Sequence, residues 1–220
     1  GGADAVSLIN TINSITSVDL ERMVALPTVG SQSTHGGYCG SAVKPIALNM
    51  VAEIARDPLT KGLPISGIGG IGSWRDAAEF IALGCGSVQV CTAAMLHGFR
   101  IVDEMKDGLS RWMDSQGYTC LDDFSGRAVG NTTDWKYLDI NYQVIAKIDQ
   151  EACIGCGRCH IACEDTSHQA IASLKQPDGT HRYEVIDDEC VGCNLCQITC
   201  PVEDCIEMVP HNNGLPFLDW

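Results

Sequence analysis

Two runs of closely spaced cysteines dominate the second half of the chain. The first run has the spacing C-x2-C-x2-C-x3-C and starts at Cys153. The second repeats that spacing from Cys190 and is followed by Pro201. Thiolates repeated at such short intervals are typical ligands of a metal centre. A disulfide framework is less expected, because no basic and apolar export signal opens the sequence.

The spacing is that of bacterial ferredoxins with two [4Fe–4S] clusters. Three thiolates at steps of three residues curl around three corners of one cube. The fourth cysteine of each run lies too far along the chain to reach the same cube, and it binds the other cube instead. We therefore expect each cluster to take three cysteines from one run and the last cysteine of the other. The first predicted set is Cys153, Cys156, Cys159 and Cys200, and the second is Cys190, Cys193, Cys196 and Cys163.

Zinc in an interaction module is the alternative for these cysteines. Zinc sites use two C-x2-C pairs, or cysteines with histidines, and four ligands in all. Two matched triples with two outlying cysteines fit that arrangement poorly. Cys205 is left over and is predicted to be a buried core thiol. His160 and His168 are predicted to be surface or packing residues, because every ligand position is already filled.

The first half of the chain alternates predicted strands with predicted helices. Short apolar runs predict strands, and apolar residues at helical spacing predict helices. The strands are predicted over 3–10, 64–69 and 87–92, and the helices over 43–57, 73–84 and 98–112. This order predicts parallel strands with helices outside them. A (β/α)8 barrel needs about 250 residues, so residues 1–112 would form its C-terminal half. A small open α/β sheet is the alternative.

Three stretches at strand ends are candidates for binding. Residues 34–45 and 67–73 are glycine-rich and run into helices, and residues 89–93 end the third strand. Backbone N–H groups in such loops, with a helix dipole behind them, suit a phosphate group. Tight turns also need glycine, which is the other interpretation. Asn10 and Thr11 end the first strand, where their side chains would point into a barrel mouth. An asparagine amide offers a donor and an acceptor, as a cyclic amide substrate requires; a simple Asn–Thr turn is the alternative.

Charge and hydropathy restrict the partners and the location. Residues 141–220 contain 4 Lys and Arg against 13 Asp and Glu, so most of the chain's net charge of −14 lies there. Such an acidic domain argues against nucleic acid or an anionic membrane as a partner. No apolar run reaches the length of a membrane span. A cytoplasmic location is therefore expected.

Residues 113–140 are predicted to be a linker before an α+β ferredoxin-like domain at 141–220.

Together these motifs resemble the C-terminal part of the catalytic subunit of NAD-dependent dihydropyrimidine dehydrogenases. The stretches that carry the resemblance are LINT, HGGYCGSAVKPIAL, GIGGIGS, VQVCTA, CIGCGRC and CVGCNLCQITCPVEDCIEMV. The resemblance implies an FMN-binding barrel of the dihydroorotate dehydrogenase type, fused to a ferredoxin domain with two [4Fe–4S] clusters. It implies Asn10 and Thr11 as pyrimidine contacts. It implies that FMN phosphate contacts are made by Gly40, Ile68, Gly69, Gly70, Cys91 and Thr92.

The same resemblance implies an activity. The family reduces the 5,6 double bond of uracil or thymine. NAD(P)H is oxidised on an FAD-bearing partner subunit, which implies a hetero-oligomer, and electrons pass through the clusters to FMN. The family's general acid is a cysteine on a mobile loop that has no match in this sequence. No catalytic residue is therefore assigned, and the chain alone is expected to be inactive. A stand-alone two-cluster ferredoxin that only carries electrons is the alternative.

Overall fold

The chain divides into two compact units. The computed structural model describes residues 2–166 and 168–220, and the units are Gly1–Thr133 and Asp134–Trp220. Each unit is a mixture of helices and strands, in keeping with the predicted α/β and α+β classes. Within the described residues, no helix is both long enough and apolar enough to cross a membrane.

The first unit contains nine strands and four helices. The strands are β1 (Val6–Leu8), β2 (Ile12–Ser14), β3 (Ser17–Asp19), β4 (Val24–Leu26), β5 (Thr28–Val29), β6 (Gln32–Ser33), β7 (Gly36–Tyr38), β8 (Ile65–Ile68) and β9 (Cys85–Gln89). The helices are α1 (Lys44–Arg56), α2 (Trp74–Ala82), α3 (Thr92–His97) and α4 (Ile101–Gln116). Short 3-10 turns lie at Ser41–Val43, Leu121–Asp123 and Val129–Asn131.

A three-stranded parallel sheet forms the centre of the first unit. Its order is β1-β8-β9, and both neighbouring pairs run parallel. Helix α1 lies in the connection from β1 to β8, and α2 lies in the connection from β8 to β9. The apolar faces of both helices pack on the sheet, where Val51 and Phe80 are completely buried. The parallel strands and outer helices predicted from the sequence are therefore present.

Helix α2 is capped at its N-terminus by Ser73. The Ser73 hydroxyl accepts the Asp76 N–H at 3.3 Å, and the Asp76 carboxylate accepts the Ser73 N–H at 2.8 Å. This reciprocal capping box satisfies N–H groups that the first helical turn leaves without partners. The helix ends before Gly84, which has a φ of 96°. The cap fixes the direction in which the chain leaves β8 for α2.

The segment between β1 and α1, in which the sequence predicts no further strand or helix before residue 43, is not an irregular loop. It contains three small antiparallel pairs, β2 with β7, β3 with β4 and β5 with β6. These strands have two or three residues each, which is too short to show the alternation that signals a strand. The β2–β7 pair joins Ile12 to Tyr38. It thereby brings the residues just after β1 next to the glycine-rich segment that leads into α1.

Residues 113–133 also differ from the predicted linker, because they fold against the first unit. Phe124 is 2% exposed and packs with Ala78 and Ile81 of α2. Its ring lies edge-on to Trp112, with centroids 5.0 Å apart. The Gly126 N–H donates to the carbonyl oxygen of Ile81 at 3.0 Å. The polar composition of this segment gives no sign that Phe124 is buried in the first unit. The predicted linker at 113–140 falls partly in each of the two units.

The second unit contains four strands, two helices and two 3-10 turns. The strands are β10 (Gln143–Ile148), β11 (Ile171–Lys175), β12 (His181–Val185) and β13 (Ile206–His211), the helices are α5 (Arg158–Glu164) and α6 (Leu195–Thr199), and the turns are Trp135–Tyr137 and Asp187–Glu189. Each cysteine run with its flanking strands forms one copy of a repeat. The antiparallel pairs are β10 with β13 and β11 with β12. The first strand of one copy thus pairs with the last strand of the other, and the two copies interlock.

Candidate functional site

The eight cysteines of the two runs line two separate cavities in the second unit. The first cavity is lined by Cys153, Cys156, Cys159 and Cys200. The second cavity is lined by Cys163, Cys190, Cys193 and Cys196. Each cavity therefore combines three cysteines of one run with the last cysteine of the other. The structure brings together the same two sets that the spacing predicts.

The interlocked strands produce this exchange, and glycines let each loop close. Strand β10 leads into the first cysteine run, and Cys200 lies shortly before β13. The pairing of β10 with β13 therefore brings Cys200 close to the first run. Gly157 has a φ of 76°, and a Cβ atom there would lie 2.7 Å from the hydroxyl of Tyr183. Gly192 has a φ of 70°, and a Cβ atom would lie 2.5 Å from the carbonyl oxygen of Val144. Neither position has room for a side chain, so the backbone itself wraps the cavity.

Backbone N–H groups point at sulfur atoms of the second cavity. The Ala146 N–H lies 3.5 Å from Sγ of Cys190, and the Ala170 N–H lies 3.2 Å from Sγ of Cys163. Such bonds stabilise thiolates and cluster sulfides and contribute to the cluster potential. Burial acts in the opposite direction, since it raises the pKa of the Cys196 thiol to about 11. Binding of a metal centre by the Cys196 thiolate would have to offset this effect of burial.

The cysteine arrangement is compatible with clusters. Among the described residues, no three His, Cys, Asp or Glu side chains converge closely enough to hold a single metal ion. A [4Fe–4S] cluster does not require such convergence, because each of its four cysteines binds a different iron atom. The separate four-cysteine cavities fit this chemistry.

Cys205 is a fifth cysteine in the first cavity. It is 2% exposed, as expected of a buried thiol, and it lines the cavity beside Cys153 and Cys200. Its Sγ lies 3.7 Å from the carbonyl oxygen of Asp149, to which it donates. Burial, with the neighbouring Cys200 and Cys153, raises the pKa of this thiol to about 12. Cys205 is therefore a neutral hydrogen-bond donor beside the four predicted ligands.

The two histidines near the cysteine runs have different positions. Nδ1 of His160 lies 2.6 Å from the carbonyl oxygen of Ile171, and the ring packs near Tyr183. This is the packing role predicted for it. His168 lines the second cavity, which its sequence position did not indicate.

A larger cavity of about 310 Å³ lies at the carboxyl ends of the parallel strands in the first unit. Residues that follow β1, β8 and β9 surround it, together with the segment before α1. Its lining includes every residue assigned from the sequence to a pyrimidine or to the FMN phosphate. These are Asn10, Thr11, Gly40, Ile68, Gly69, Gly70, Cys91 and Thr92. The structure thus gathers residues from four separate stretches of sequence around one space.

The turn after β8 can be built only with glycine. Gly69 has a φ of 137°, and a Cβ atom there would lie 2.7 Å from Cβ of Ala47. Gly70 has a φ of 77°, and a Cβ atom would lie 2.8 Å from the carbonyl oxygen of Gly40. Because neither residue has a side chain, the backbone of this turn is open to a ligand in the cavity. That is the cradle a phosphate group requires.

An ion-pair network lies behind this turn, and the sequence did not reveal it. The Asp76 carboxylate accepts the N–H groups of Gly72 and Ser73 at 3.0 and 2.8 Å. Nζ of Lys44 donates to Asp76 at 2.5 Å and to Glu79 at 2.8 Å. The N–H groups of Gly72 and Ser73 are therefore engaged. The N–H groups of Gly70, Ile71 and the first turn of α3 are not used by this network.

Charge compensation sets the protonation of this network. Hydrogen bonds to Asp76 and Glu79 raise the pKa of Lys44. Burial alone would raise the pKa of Asp76, but hydrogen bonds from Lys44, Gly72 and Ser73 outweigh it and lower the pKa. Lys44 thus neutralises a carboxylate that would otherwise repel a phosphate nearby.

Asn10 and Thr11 both line the cavity. The Asn10 Oδ1 accepts the Thr11 N–H at 2.7 Å, and the two residues lie in an irregular stretch between β1 and β2 that is not a turn. The amide nitrogen of Asn10 is the group that a substrate would then meet.

Across the cavity, the Thr92 hydroxyl donates to Sγ of Cys39 at 3.4 Å, so Cys39 orients a residue assigned to FMN.

Gln89, a polar residue at the end of β9, was not among the individual residues predicted for the site. The Gln89 amide donates to the hydroxyls of Ser7 and Ser66 at 2.8 Å each, and Gln89 also lines the cavity. Ser87 donates to Ser66 as well, at 2.8 Å, so the network crosses all three parallel strands. The alternation of Ser87 and Gln89 along β9 was the signal of a polar sheet face.

Comparison with known proteins places the two units in known families. The family described as dihydroorotate dehydrogenase matches residues 1–113. A 4Fe-4S dicluster domain matches residues 146–208. These matches correspond to the unit with the 310 Å³ cavity and the unit with the two cysteine cavities.

Individual relatives are similar over different lengths. The chain is 45% identical over 171 residues, or 78% of its length, to the NAD-dependent dihydropyrimidine dehydrogenase subunit PreA of Escherichia coli K12. It is 38% identical over 129 residues, or 59% of its length, to the dihydroorotate dehydrogenase B (NAD(+)) catalytic subunit of Pyrococcus horikoshii. It is 37% identical over 131 residues, or 58% of its length, to the chloroplastic dihydropyrimidine dehydrogenase (NADP(+)) of Arabidopsis thaliana. The chain spans 42%, 40% and 31% of these relatives.

The position of Cys205 predicts that it is not a ligand. C205A should retain the full iron and acid-labile sulfide content, whereas C200A should lose the cluster of the first cavity. Both variants remove one thiol beside Cys153, so they form a matched pair. Iron and sulfide analysis after anaerobic purification measures the difference. A loss of iron in C205A but not in C200A would show that the ligand set is wrong.

The network around Asp76 predicts a pH-dependent stability. D76N should lower the free energy of unfolding of the first unit by about 1–3 kcal/mol at neutral pH, because Lys44 loses the more buried of its two charged partners. The folded pKa of Asp76 lies below 3.8, so this contribution is complete above that pH. It disappears as the pH falls through the folded value. The difference between wild type and D76N should shrink accordingly.

Urea unfolding followed by tryptophan fluorescence at a series of pH values measures this effect. E79Q is the matched control, because Glu79 is the more exposed of the two carboxylates and should cost less. A D76N protein as stable as wild type at neutral pH contradicts the interpretation.

Proposed function

The chain belongs to the dihydroorotate dehydrogenase family and carries a 4Fe-4S dicluster domain, so its cofactors are FMN and two [4Fe–4S] clusters. From this premise we propose that the protein reduces the 5,6 double bond of uracil or thymine. The electrons come from NAD(P)H on an FAD-bearing partner subunit and pass through the clusters to FMN. The protein is then the pyrimidine-reducing subunit of a hetero-oligomer.

The convergence of strand ends on one cavity is the observation that supports this proposal. Phosphate-binding loops and polar substrate contacts of parallel α/β folds lie at the carboxyl ends of the strands. Here the loops after β1, β8 and β9 meet there. We interpret the parallel sheet as part of a (β/α)8 barrel and the second unit as the ferredoxin-like domain. A carrier that only transfers electrons has no use for such a cavity.

Each side of the cavity has a distinct role in the proposal. The backbone of Gly69 and Gly70 and the first turn of α3 hold the FMN phosphate, with Gly40 and Thr92 beside it. When bound, the flavin supplies the link between one-electron carriers and two-electron reduction of a carbon–carbon bond. Lys44 keeps the charge of Asp76 neutralised behind the phosphate.

The substrate side of the cavity is assigned to Asn10 and Thr11. The Asn10 Oδ1 is held by the Thr11 N–H, so its amide nitrogen faces a substrate carbonyl as a donor. The Thr11 hydroxyl can donate or accept. Reduction also requires a proton from a general acid, which the family resemblance places on a cysteine loop outside these 220 residues.

The match to the bacterial dihydropyrimidine dehydrogenase subunit favours a dihydropyrimidine over a dihydroorotate as the product, whereas the match to the chloroplastic dihydropyrimidine dehydrogenase, at 131 residues, does not distinguish them. The match to the dihydropyrimidine dehydrogenase subunit covers 171 residues, more than the first unit contains. It therefore extends into the cysteine-bearing unit. The match to the dihydroorotate dehydrogenase B subunit covers 129 residues, a length that the first unit alone could supply.

An activity assay distinguishes these functions. The protein at its natural length is purified anaerobically with its associated subunit, supplied with NADH or NADPH, and given uracil, thymine or orotate. Loss of the pyrimidine ultraviolet absorbance with uracil or thymine, and none with orotate, is the expected result. Consumption of orotate alone would assign the protein to dihydroorotate chemistry. A protein that never retains FMN would favour the electron-carrier alternative.

The glycine turn predicts a specific loss of flavin. G70A should weaken FMN binding about tenfold or more, because a left-handed residue other than glycine costs about 1–2 kcal/mol. The new methyl group would also displace the carbonyl of Gly40. G86A is the matched control, since a Cβ atom there meets nothing within 4 Å. Flavin released on denaturation measures occupancy; equal flavin in the two variants contradicts the assigned cradle.

A further inference from the structure

The two cysteine cavities differ at one equivalent position of the repeat. Gly157 follows the second cysteine of the first run, and Asn194 follows the second cysteine of the second run. Both residues precede their helices and have left-handed backbones, with φ values of 76° and 65°. Glycine adopts this conformation freely, and asparagine is one of the few other residues that adopt it regularly. The two loops therefore share a backbone conformation, and the amide side chain of Asn194 is what distinguishes them.

The side-chain oxygen of Asn194 is buried and has no hydrogen-bond partner among the described residues. It lines the second cavity together with Cys193 and Cys196. Within the part of the chain that the structure describes, its Oδ1 is the one buried side-chain nitrogen or oxygen atom with no hydrogen bond. Buried polar atoms are almost always paired, so an orphan atom at a cavity points to a ligand. The dicluster family assigns a cluster to this cavity.

The chemistry of that cluster decides which end of the amide faces it. Cysteine thiolates and inorganic sulfides accept hydrogen bonds and carry negative charge, so they repel an amide oxygen. A half-turn of the amide exchanges oxygen and nitrogen with almost no change in shape. Nδ2 then occupies the buried position and can donate to sulfur. The orphan atom is satisfied when the cluster is bound.

We propose that the Asn194 side chain donates an N–H···S hydrogen bond to the cluster of the second cavity and raises its reduction potential. Hydrogen bonds to cluster sulfur stabilise the reduced, more negative state. The first cavity has Gly157 at this position and receives no such bond. This inference rests on the dicluster domain and is independent of the pyrimidine reaction.

Neighbouring contacts support an unequal pair of clusters. The second cavity already receives the N–H groups of Ala146 and Ala170 on its cysteine sulfurs. The first cavity has no space for an asparagine, because a Cβ atom at Gly157 would lie 2.7 Å from the Tyr183 hydroxyl. In the proposed arrangement the second cluster is reduced first. Electrons that enter the domain are then held at the cluster of Cys163, Cys190, Cys193 and Cys196.

A redox titration of the full chain, with both clusters assembled and no substrate present, tests this proposal. Electron paramagnetic resonance follows the two clusters as the potential is lowered. N194G copies the residue of the first loop and relieves the left-handed strain, so it should fold and bind both clusters. It is expected to shift one of the two reduction potentials to a more negative value and to leave the other unchanged.

Two further variants separate hydrogen bonding from structural effects. N194D keeps the side-chain shape but replaces the donor with a negative acceptor, and it should shift the same potential at least as far as N194G. Q197A removes an exposed amide from the same helix and should shift neither potential. Full iron and sulfide content with unchanged potentials in N194G overturns the proposal. An equal shift of both clusters, or an N194D potential at or above the wild-type value, overturns it as well.

Discussion

The pairing of β10 with β13 is the contact on which the cysteine-bearing unit depends. It joins the first strand of one repeat copy to the last strand of the other. Each cavity therefore receives its fourth cysteine from the opposite copy, Cys200 in one case and Cys163 in the other. Neither run completes a site alone, so folding of the whole unit and assembly of both clusters are linked. This linkage explains why so small a unit, with few buried apolar residues, can be stable.

Approach of the backbone to the ligand is the common requirement of both units. Gly157 and Gly192 let the cysteine loops close around their cavities, and Gly69 and Gly70 do the same in the turn after β8. In each case a methyl group would contact neighbouring atoms too closely. The ligand then meets backbone N–H groups in addition to side chains. A glycine in these loops is therefore part of the binding surface.

The sites also depend on contacts that pattern alone does not predict. The strands between residues 12 and 38 are too short to show a period, yet they bring Thr11 beside the segment that leads into α1. Phe124 anchors a stretch whose composition resembles a linker. Lys44 and Asp76 are 32 residues apart in sequence and meet behind the phosphate cradle. These three contacts join residues that meet only in the folded chain, so local composition does not predict them.

The amino-acid sequence by itself indicated the grouping of the eight cysteines and the parallel order of strands and helices, which follow from ligand spacing and hydrophobic period. Residues of the large cavity were indicated by resemblance to a known family. Only the tertiary structure showed that Gln89 joins three strands through serines. Only the tertiary structure showed that Asn194 buries an unpaired atom where its counterpart is Gly157. The reason is physical: burial and hydrogen bonding are properties of neighbours in space, and those neighbours are distant in the chain.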